Sequence, residues 1–306
     1  MKEFKIDGQF LVGTNAGGQC LAVWSARKGS YAKLALLFGH LPRQRIDLAL
    51  QIAHAGRIFG QEFAQGRHPG FGIRQFTLNA AQQDILCLNR PARVDILFMH
   101  QFDERTPLEE IVRGLEDLVR SGKVLYPAVS NYSAWQAQKT LAIQEINRFS
   151  RIEVVEPMYN LVKRQAEVEI LPMALANDLA VIPYSPVAGG LLSGKYLAGS
   201  GANSGRLRTN KMYGRRYSDA WAATTAGDLV SFCEEHGLHP VSAAVAWVGS
   251  HPAVTAPIIG ARNLDQLRPS LDSIKIDMTE ELRAALSDLS PEPPPATDRL
   301  EVQLKD

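Results

Sequence analysis

Five short apolar runs alternate with stretches of helix length from residue 94 onward: Val94–Met99, Val124–Val129, Ile152–Val155, Leu179–Ile182 and Thr255–Ile259. Runs of this length and β-branched content read as strands buried on both faces. The connections between them are too long for hairpins. Neighbouring runs must then be joined by right-handed β-α-β crossovers in a parallel sheet. Helix signals fall in the gaps. Thr106-Pro107-Leu108-Glu109 combines an N-cap, a proline in the first turn and a glutamate three residues after the threonine. Ile111, Leu115, Leu118 and Val119 mark the buried face of that helix, and Gly122 ends it. Ser133 caps a second helix running to Phe149. Further helices are predicted near Glu167–Asp178, Ala220–His236 and Val241–Ser250, with a last one opened by Thr279, Glu280 and Glu281. No self-similarity beyond this alternation is visible. The pattern predicts an α/β fold, a TIM (β/α)8 barrel formed as a single domain over residues 1–306, with residues 291–306 as an extended, Pro-rich tail.

The first 90 residues are far less legible. Phe4–Val12 reads as one or two short strands with Asp7-Gly8 as a hairpin signal. Leu34–Phe38 is an apolar run, Ile46–Ile58 has mixed periodicity compatible with helix, and Gly66–Gly72 reads as a loop.

Composition narrows the function classes. The formal net charge of +1 supplies no field to draw nucleic acid or an anionic membrane. No apolar run is long enough for a membrane helix, and the N-terminus lacks the apolar core of a secretory signal. Cys20, Cys87 and Cys233 are odd in number and widely spaced, which indicates neither a disulfide framework nor a zinc site. No His/Asp/Glu cluster or GxSxG element suggests a metal enzyme or hydrolase. A reducing cytoplasm is the simplest compartment.

The runs end on polar residues, and in a barrel those ends form the ligand face. The fullest example is Val181–Tyr196, VIPYSPVAGGLLSGKY. An apolar strand there breaks at Pro183, exposes Tyr184 and Ser185, and runs through Gly189, Gly190 and Gly194, which let the backbone approach a phosphate. Lys195 adds positive charge. An ordinary strand-to-helix turn fits the local pattern equally well. Met99-His100-Gln101-Phe102-Asp103, Ser130-Asn131, Glu156-Pro157-Met158-Tyr159-Asn160 and Gly260-Ala261-Arg262-Asn263 end the other runs.

These motifs resemble those of the aldo-keto reductases over roughly Val94 to Arg299, with little resemblance before residue 90. The resemblance implies hydride transfer from NADP(H) to the carbonyl of an aldehyde or ketone. By that resemblance His100 orients the carbonyl and shares in proton transfer, and Ser130 and Asn131 hydrogen-bond the nicotinamide carboxamide. Glu156 stands where the family usually has a glutamine on the same amide, and a carboxylate cannot donate to the amide oxygen. Tyr184 is expected to stack on the nicotinamide ring, and Ser185 and Val187 to meet the pyrophosphate. Gly189, Leu191, Ser193 and Lys195 would line the rest of the phosphate path, although Val187 and Leu191 fit plain packing too. Gly260, Arg262, Gln266 and Ser270 match the adenosine end, with Arg262 on the 2′-phosphate.

The family's catalytic residues run Asp, Tyr, Lys, His. Asp47 faintly resembles the aspartate, but the tyrosine position five residues on holds Ile52. No lysine occurs between Lys33 and Lys123 and no tyrosine between Tyr31 and Tyr126. The alternative is therefore a catalytically impaired nucleotide-binding or regulatory relative on the same barrel. Another reading is that residues 1–90 are not the ancestral segment, through a shifted frame or rearrangement. The carbonyl substrate and the oligomeric state stay open.

Overall fold

The computed structural model describes residues 94–197, 205–297 and 299, together with the backbone of three N-terminal strands, β1 (Phe10–Thr14), β2 (Cys20–Trp24) and β3 (Ala35–Leu37). These three form an antiparallel ladder in which Phe10 faces Trp24 and Leu21 faces Leu37. The ladder closes toward the Thr14–Cys20 pair, and the Asp7-Gly8 signal lies outside the described residues. The segments Ile46–Ile58 and Gly66–Gly72 lie outside the described residues, as does Asp47.

From residue 94 the alternation appears as a parallel sheet. Strand β4 (Val94–Met99) leads to helix α1 (Leu108–Arg120), then to β5 (Val124–Ser130) and α2 (Ala134–Asn147). Next come β6 (Val154–Glu156), a 3-10 turn (Gln165–Glu167), α3 (Ile170–Ala176) and β7 (Ala180–Val181). The order β4-β5-β6-β7 is sequential and every pairing is parallel, as successive right-handed crossovers require. The arc continues past β7. Val181 bridges Val254 in parallel, and Ile258 N–H donates to the Pro183 carbonyl at 2.8 Å. Strand β8 (Ile258–Ile259) then also pairs with β3 in antiparallel register, Leu36 facing Ile258.

The helix ends follow local chemistry, with one shift of a residue. Thr106 is not the cap of α1. Its hydroxyl donates to Asp103 Oδ2 at 2.8 Å, and Pro107 takes the N-cap position. At α2, Gln136 reaches back to accept from the Ser133 N–H at 2.9 Å, while the Ser133 hydroxyl is buried without a partner. The reciprocal half of that box is unmade. Asn263 accepts from Gln266 N–H and Thr279 from Leu282 N–H, capping α8 (Leu264–Asp272) and α9 (Glu280–Ser287), once the intervening helices are counted. Those are α4 (Arg206–Thr209), α5 (Lys211–Arg216), α6 (Ala220–Glu235) and α7 (Pro240–Gly249). Among the described residues, 205–219 therefore carries two short helices. Asn210 starts the second by accepting from Met212 and Tyr213 N–H.

The main core lies between the sheet and helices α3, α6 and α7. It closes over Tyr159, Leu171, Leu179, Leu192, Leu229 and Trp247, all fully buried. A polar seam ties the last helix into it. The Tyr159 hydroxyl donates to Glu167 Oε1 at 2.6 Å, and Arg164 forks onto the same carboxylate. Arg283 of α9 donates to the Tyr159 hydroxyl at 3.2 Å and lies 4.9 Å from the Trp247 ring centroid. Trp247 Nε1–H donates in turn to Ser287 Oγ at 2.9 Å. Each buried polar atom of the seam so finds a partner, which removes the desolvation penalty that an orphan would carry.

Candidate functional site

The strand ends converge at one edge of the parallel sheet. β5 and β6 end in register, with Ser130 paired to Glu156, and this places three polar residues side by side. The Ser130 hydroxyl, fully buried, donates to the Glu156 carbonyl at 3.1 Å. Asn131 follows in the left-handed region at φ 56, where an asparagine is tolerated better than most residues. That twist turns its amide across the sheet edge. Nδ2 donates to the His100 carbonyl at 2.8 Å and to Ser130 Oγ at 3.1 Å. Oδ1 accepts from the Tyr184 hydroxyl at 2.6 Å. One amide so links the ends of β4, β5 and β7. The Ser130-Asn131 pair, expected by resemblance to hold a nicotinamide carboxamide, is engaged on the protein side as well.

His100 stands at the end of β4, partly buried, and burial lowers its pKa, so the imidazole is held neutral. Glu156 is 7% exposed, and burial pushes its carboxyl up to about 7 against a smaller opposing contribution from the Ser130 hydroxyl. Behind the pair, Tyr132 is 5% exposed with its hydroxyl unpartnered, and it lines a narrow cavity together with Asn131, Glu156 and Ile170. Burial raises the Tyr132 phenol to about 12, so it stays neutral.

The loop after β7 is built from left-handed backbone. Ser185 (φ 60), Ala188 (φ 49), Gly189 (φ 66), Gly190 (φ 96) and Gly194 (φ 76) all lie there. Two of these turns are closed by backbone bonds, Ala188 N–H to the Ser185 carbonyl at 2.9 Å and Gly190 N–H to the Val187 carbonyl at 2.8 Å. Ser193 Oγ donates to the Gly190 carbonyl at 2.7 Å and so closes the turn. Leu191 and Ala188 point into the core, Val187 packs half-buried beside it, and these three offer a ligand backbone rather than side chain. Lys195 Nζ lies 4.9 Å from the Tyr196 ring centroid, and a Cβ at Gly190 would meet it at 2.6 Å. The loop rests on Asn160, which is fully buried and donates to the Ser185 carbonyl at 2.9 Å.

Helices α4 and α5 roof this loop. A Cβ at Gly189 would come within 2.8 Å of the Tyr213 ring and 3.0 Å of Leu207. Arg206 and Arg216 both lie against the Tyr213 ring, at 5.0 and 5.1 Å, and Arg216 also reaches to 6.0 Å of the Tyr184 centroid. Sequence reasoning missed Asn160, Tyr213 and Arg216. The first lay in the quoted Met158-Tyr159-Asn160 run, but nothing there marked its side chain as the prop of a loop 25 residues on.

The β8 end is simpler. Gly260 and Arg262 are exposed, and the Gln266 side chain accepts from the Arg262 N–H at 3.2 Å. Ser270, by contrast, is 3% exposed on the inner side of α8, away from that open face.

Comparison with known proteins gives a consistent set of similarities. The sequence model described as the aldo/keto reductase family matches residues 68–290. An uncharacterized oxidoreductase of Bacillus subtilis, YrpG, is 38% identical over 65% of this chain and 59% of its own length. The versiconal hemiacetal acetate reductase of Aspergillus parasiticus is 31% identical over 61% of this chain and 54% of its own. The L-glyceraldehyde 3-phosphate reductase of Escherichia coli is 30% identical over 70% of this chain and 63% of its own. The chain thus spans a little over half to under two thirds of the length of these relatives.

Proposed function

Because this chain belongs to the aldo/keto reductase family, a family of TIM-barrel oxidoreductases, we propose that it is an NADP(H)-dependent reductase of a small aldehyde or ketone. The observation that carries this reading is the junction of Tyr184, Asn131, Ser130 and Glu156 at the ends of neighbouring parallel strands, beside His100. It fits the amide and ring of a nicotinamide: hydrogen-bonding groups at the sheet edge and an aromatic face next to them. The left-handed glycines Gly189 and Gly190 let a pyrophosphate approach the backbone closely. The exposed guanidinium of Arg262 fits the 2′-phosphate, for which a fork of donors is suited. The names of two relatives, one a hemiacetal acetate reductase and one an aldehyde phosphate reductase, agree with carbonyl chemistry.

When bound, the dihydronicotinamide supplies a hydride to the carbonyl carbon. The chain's own part is to hold the ring, orient the carbonyl and keep water from competing. His100, its pKa lowered by partial burial, offers an N–H to the carbonyl oxygen and stabilises the charge that gathers there. The oxygen then gains its proton from the imidazole, which is restored from solvent. Arg216, 6.0 Å from the Tyr184 ring centroid and 5.1 Å from that of Tyr213, covers the same edge and helps to exclude water. The single-domain organisation and the assignment of every site residue above are part of this proposal.

The test is a titration of the purified protein with NADPH, followed by quenching of tryptophan fluorescence, with absorbance then monitored as a reactive aldehyde is added. Saturable quenching with aldehyde-dependent loss of NADPH is expected. Saturable binding without oxidation would refute the reductase reading, and no binding would refute the cofactor assignment.

A further inference from the structure

We propose that Glu156 grips the nicotinamide carboxamide only as the protonated acid, so that this end of the cofactor binds together with one proton. The inference rests on the NADP(H) reading above and concerns one residue in which this chain departs from the family's usual glutamine.

The geometry leaves the Glu156 side chain a single role. Its backbone carbonyl is already taken, by the Ser130 hydroxyl and by the Asn131 N–H at 3.3 Å. The carboxyl is buried on the wall of the cavity behind the strand ends, beside Asn131 and the unpartnered Tyr132 hydroxyl. A charged carboxylate in such a place needs a cation or several donors to offset its lost hydration. None stands close among the described residues. On the β4 side His100 is neutral, and Asp103 beyond it is an anion. On β5, the Ser130 O–H is spent on the Glu156 backbone carbonyl. On α3, Ile170 faces the cavity and the adjoining Glu169 is exposed. After β7, the Tyr184 hydroxyl is committed to Asn131, and the Arg216 guanidinium lies on the Tyr184 ring rather than on Glu156. The anion is accordingly disfavoured, in line with a carboxyl that burial holds near 7.

The neutral acid has the hydrogen-bonding pattern that the site calls for. Its O–H donates to an amide oxygen while its C=O accepts from an amide N–H, which is the pair of functions a glutamine amide offers. The carboxylate has acceptors only and would face the amide oxygen with repulsion. Binding therefore selects the protonated chain, and affinity falls as that population falls.

The experiment is an NADPH titration of wild type and Glu156→Gln at a series of values from about pH 7 to about pH 9, where the 2′-phosphate is fully ionised. Calorimetry of the wild type in two buffers of different ionisation enthalpy reads proton uptake directly. For the wild type, Kd is expected to rise by up to about tenfold per pH unit, with uptake of up to one proton. Glu156→Gln is expected to bind with a flat profile. A wild-type affinity independent of pH with no proton uptake would overturn the inference while leaving the NADP(H) reading intact. An unchanged slope in Glu156→Gln would do the same by moving the proton to another group. Absence of binding at every pH would overturn both.

Discussion

The Tyr184 hydroxyl donates to Asn131 Oδ1 at 2.6 Å across 53 residues of sequence, and this bond joins the β7 end to the β5 end of the sheet. Asn131 is held in the left-handed region at φ 56, and its amide is fixed on its other side by the His100 carbonyl. The orientation of the proposed nicotinamide edge thus depends on a tyrosine whose ring is also part of that edge. Tyr184→Phe keeps the ring and removes the donor. It is expected to cost about 1 kcal/mol of stability and to weaken NADPH binding severalfold. Denaturant unfolding and fluorescence titration check the two effects. An unchanged affinity would show that Asn131 keeps its pose without the tyrosine.

Arg262→Ala is expected to weaken NADPH by about ten- to a hundredfold and NADH hardly at all, as loss of a charge-assisted contact to the 2′-phosphate predicts. Parallel titrations with the two nucleotides decide it. Equal losses would mean that Arg262 serves the loop and not the phosphate.

Asn160 is fully buried and satisfies three groups: the Ser185 carbonyl, the Tyr217 hydroxyl at 3.3 Å and the Val162 N–H at 3.0 Å. Asn160→Ala leaves those partners unsatisfied and is expected to cost roughly 2–4 kcal/mol. It should also loosen the phosphate loop. Urea denaturation, with an unchanged m-value, measures the first effect, and the affinity for NADPH measures the second.

Much of this was legible in sequence because it is periodic. Buried strands such as Val124–Ser130 and caps such as Thr279 announce themselves within a few residues. So did the strand-end positions of His100, Asn131 and Tyr184, because a parallel arrangement puts every strand end on one face. What could not be read was long-range and side-chain specific. The Asn160 prop, the Arg216–Tyr184 stack and the inward turn of Ser270 each depend on where a partner distant in sequence arrives. The true cap of α1 was lost for a different reason. Asp103 competes for the Thr106 hydroxyl, and a side chain three residues away can outbid a helix terminus.

Stability should respond to acid through two groups of opposite sign, one partly buried and one buried. His251, its pKa lowered to about 4 by burial and by Arg283, is neutral when folded. It contributes stability above its ordinary value of 6.5 that is lost as pH falls toward 4. Glu156, raised from 4.5 to about 7 by burial, contributes below 4.5 and loses that contribution as pH rises through 7. The wild type should therefore show a shallow profile between these limits. His251→Asn should tilt it toward greater stability in acid relative to neutral pH, by about 1–2 kcal/mol after allowance for partial exposure. Glu156→Gln should tilt it the other way. Thermal unfolding across the range tests both signs, and two parallel profiles would contradict the assignment.

Gly189→Ala places a methyl where the Tyr213 ring lies, at 2.8 Å, on a residue whose φ is +66. The substitution strains the turn and lifts α5 from it, at a cost on the order of 1 kcal/mol or more. Arg208, Lys211 and Arg215 then become easier targets for trypsin. Faster cleavage in 205–217 with the rest of the chain protected is the expected result, whereas an unchanged digest would show that Tyr213 moves aside without releasing the helix.

The seam through Arg283 has a bearing on synthesis. Tyr159 and Trp247 are buried, and the Tyr159 hydroxyl and the Trp247 Nε1–H find partners in the Arg283 and Ser287 side chains of α9. A nascent chain that has already made β4 to β8 still lacks those donors and acceptors while α9 is inside the ribosomal tunnel. Its inner face stays unfinished until α9 emerges, so the step that locks the parallel strands waits on that helix rather than on the appearance of the strands themselves.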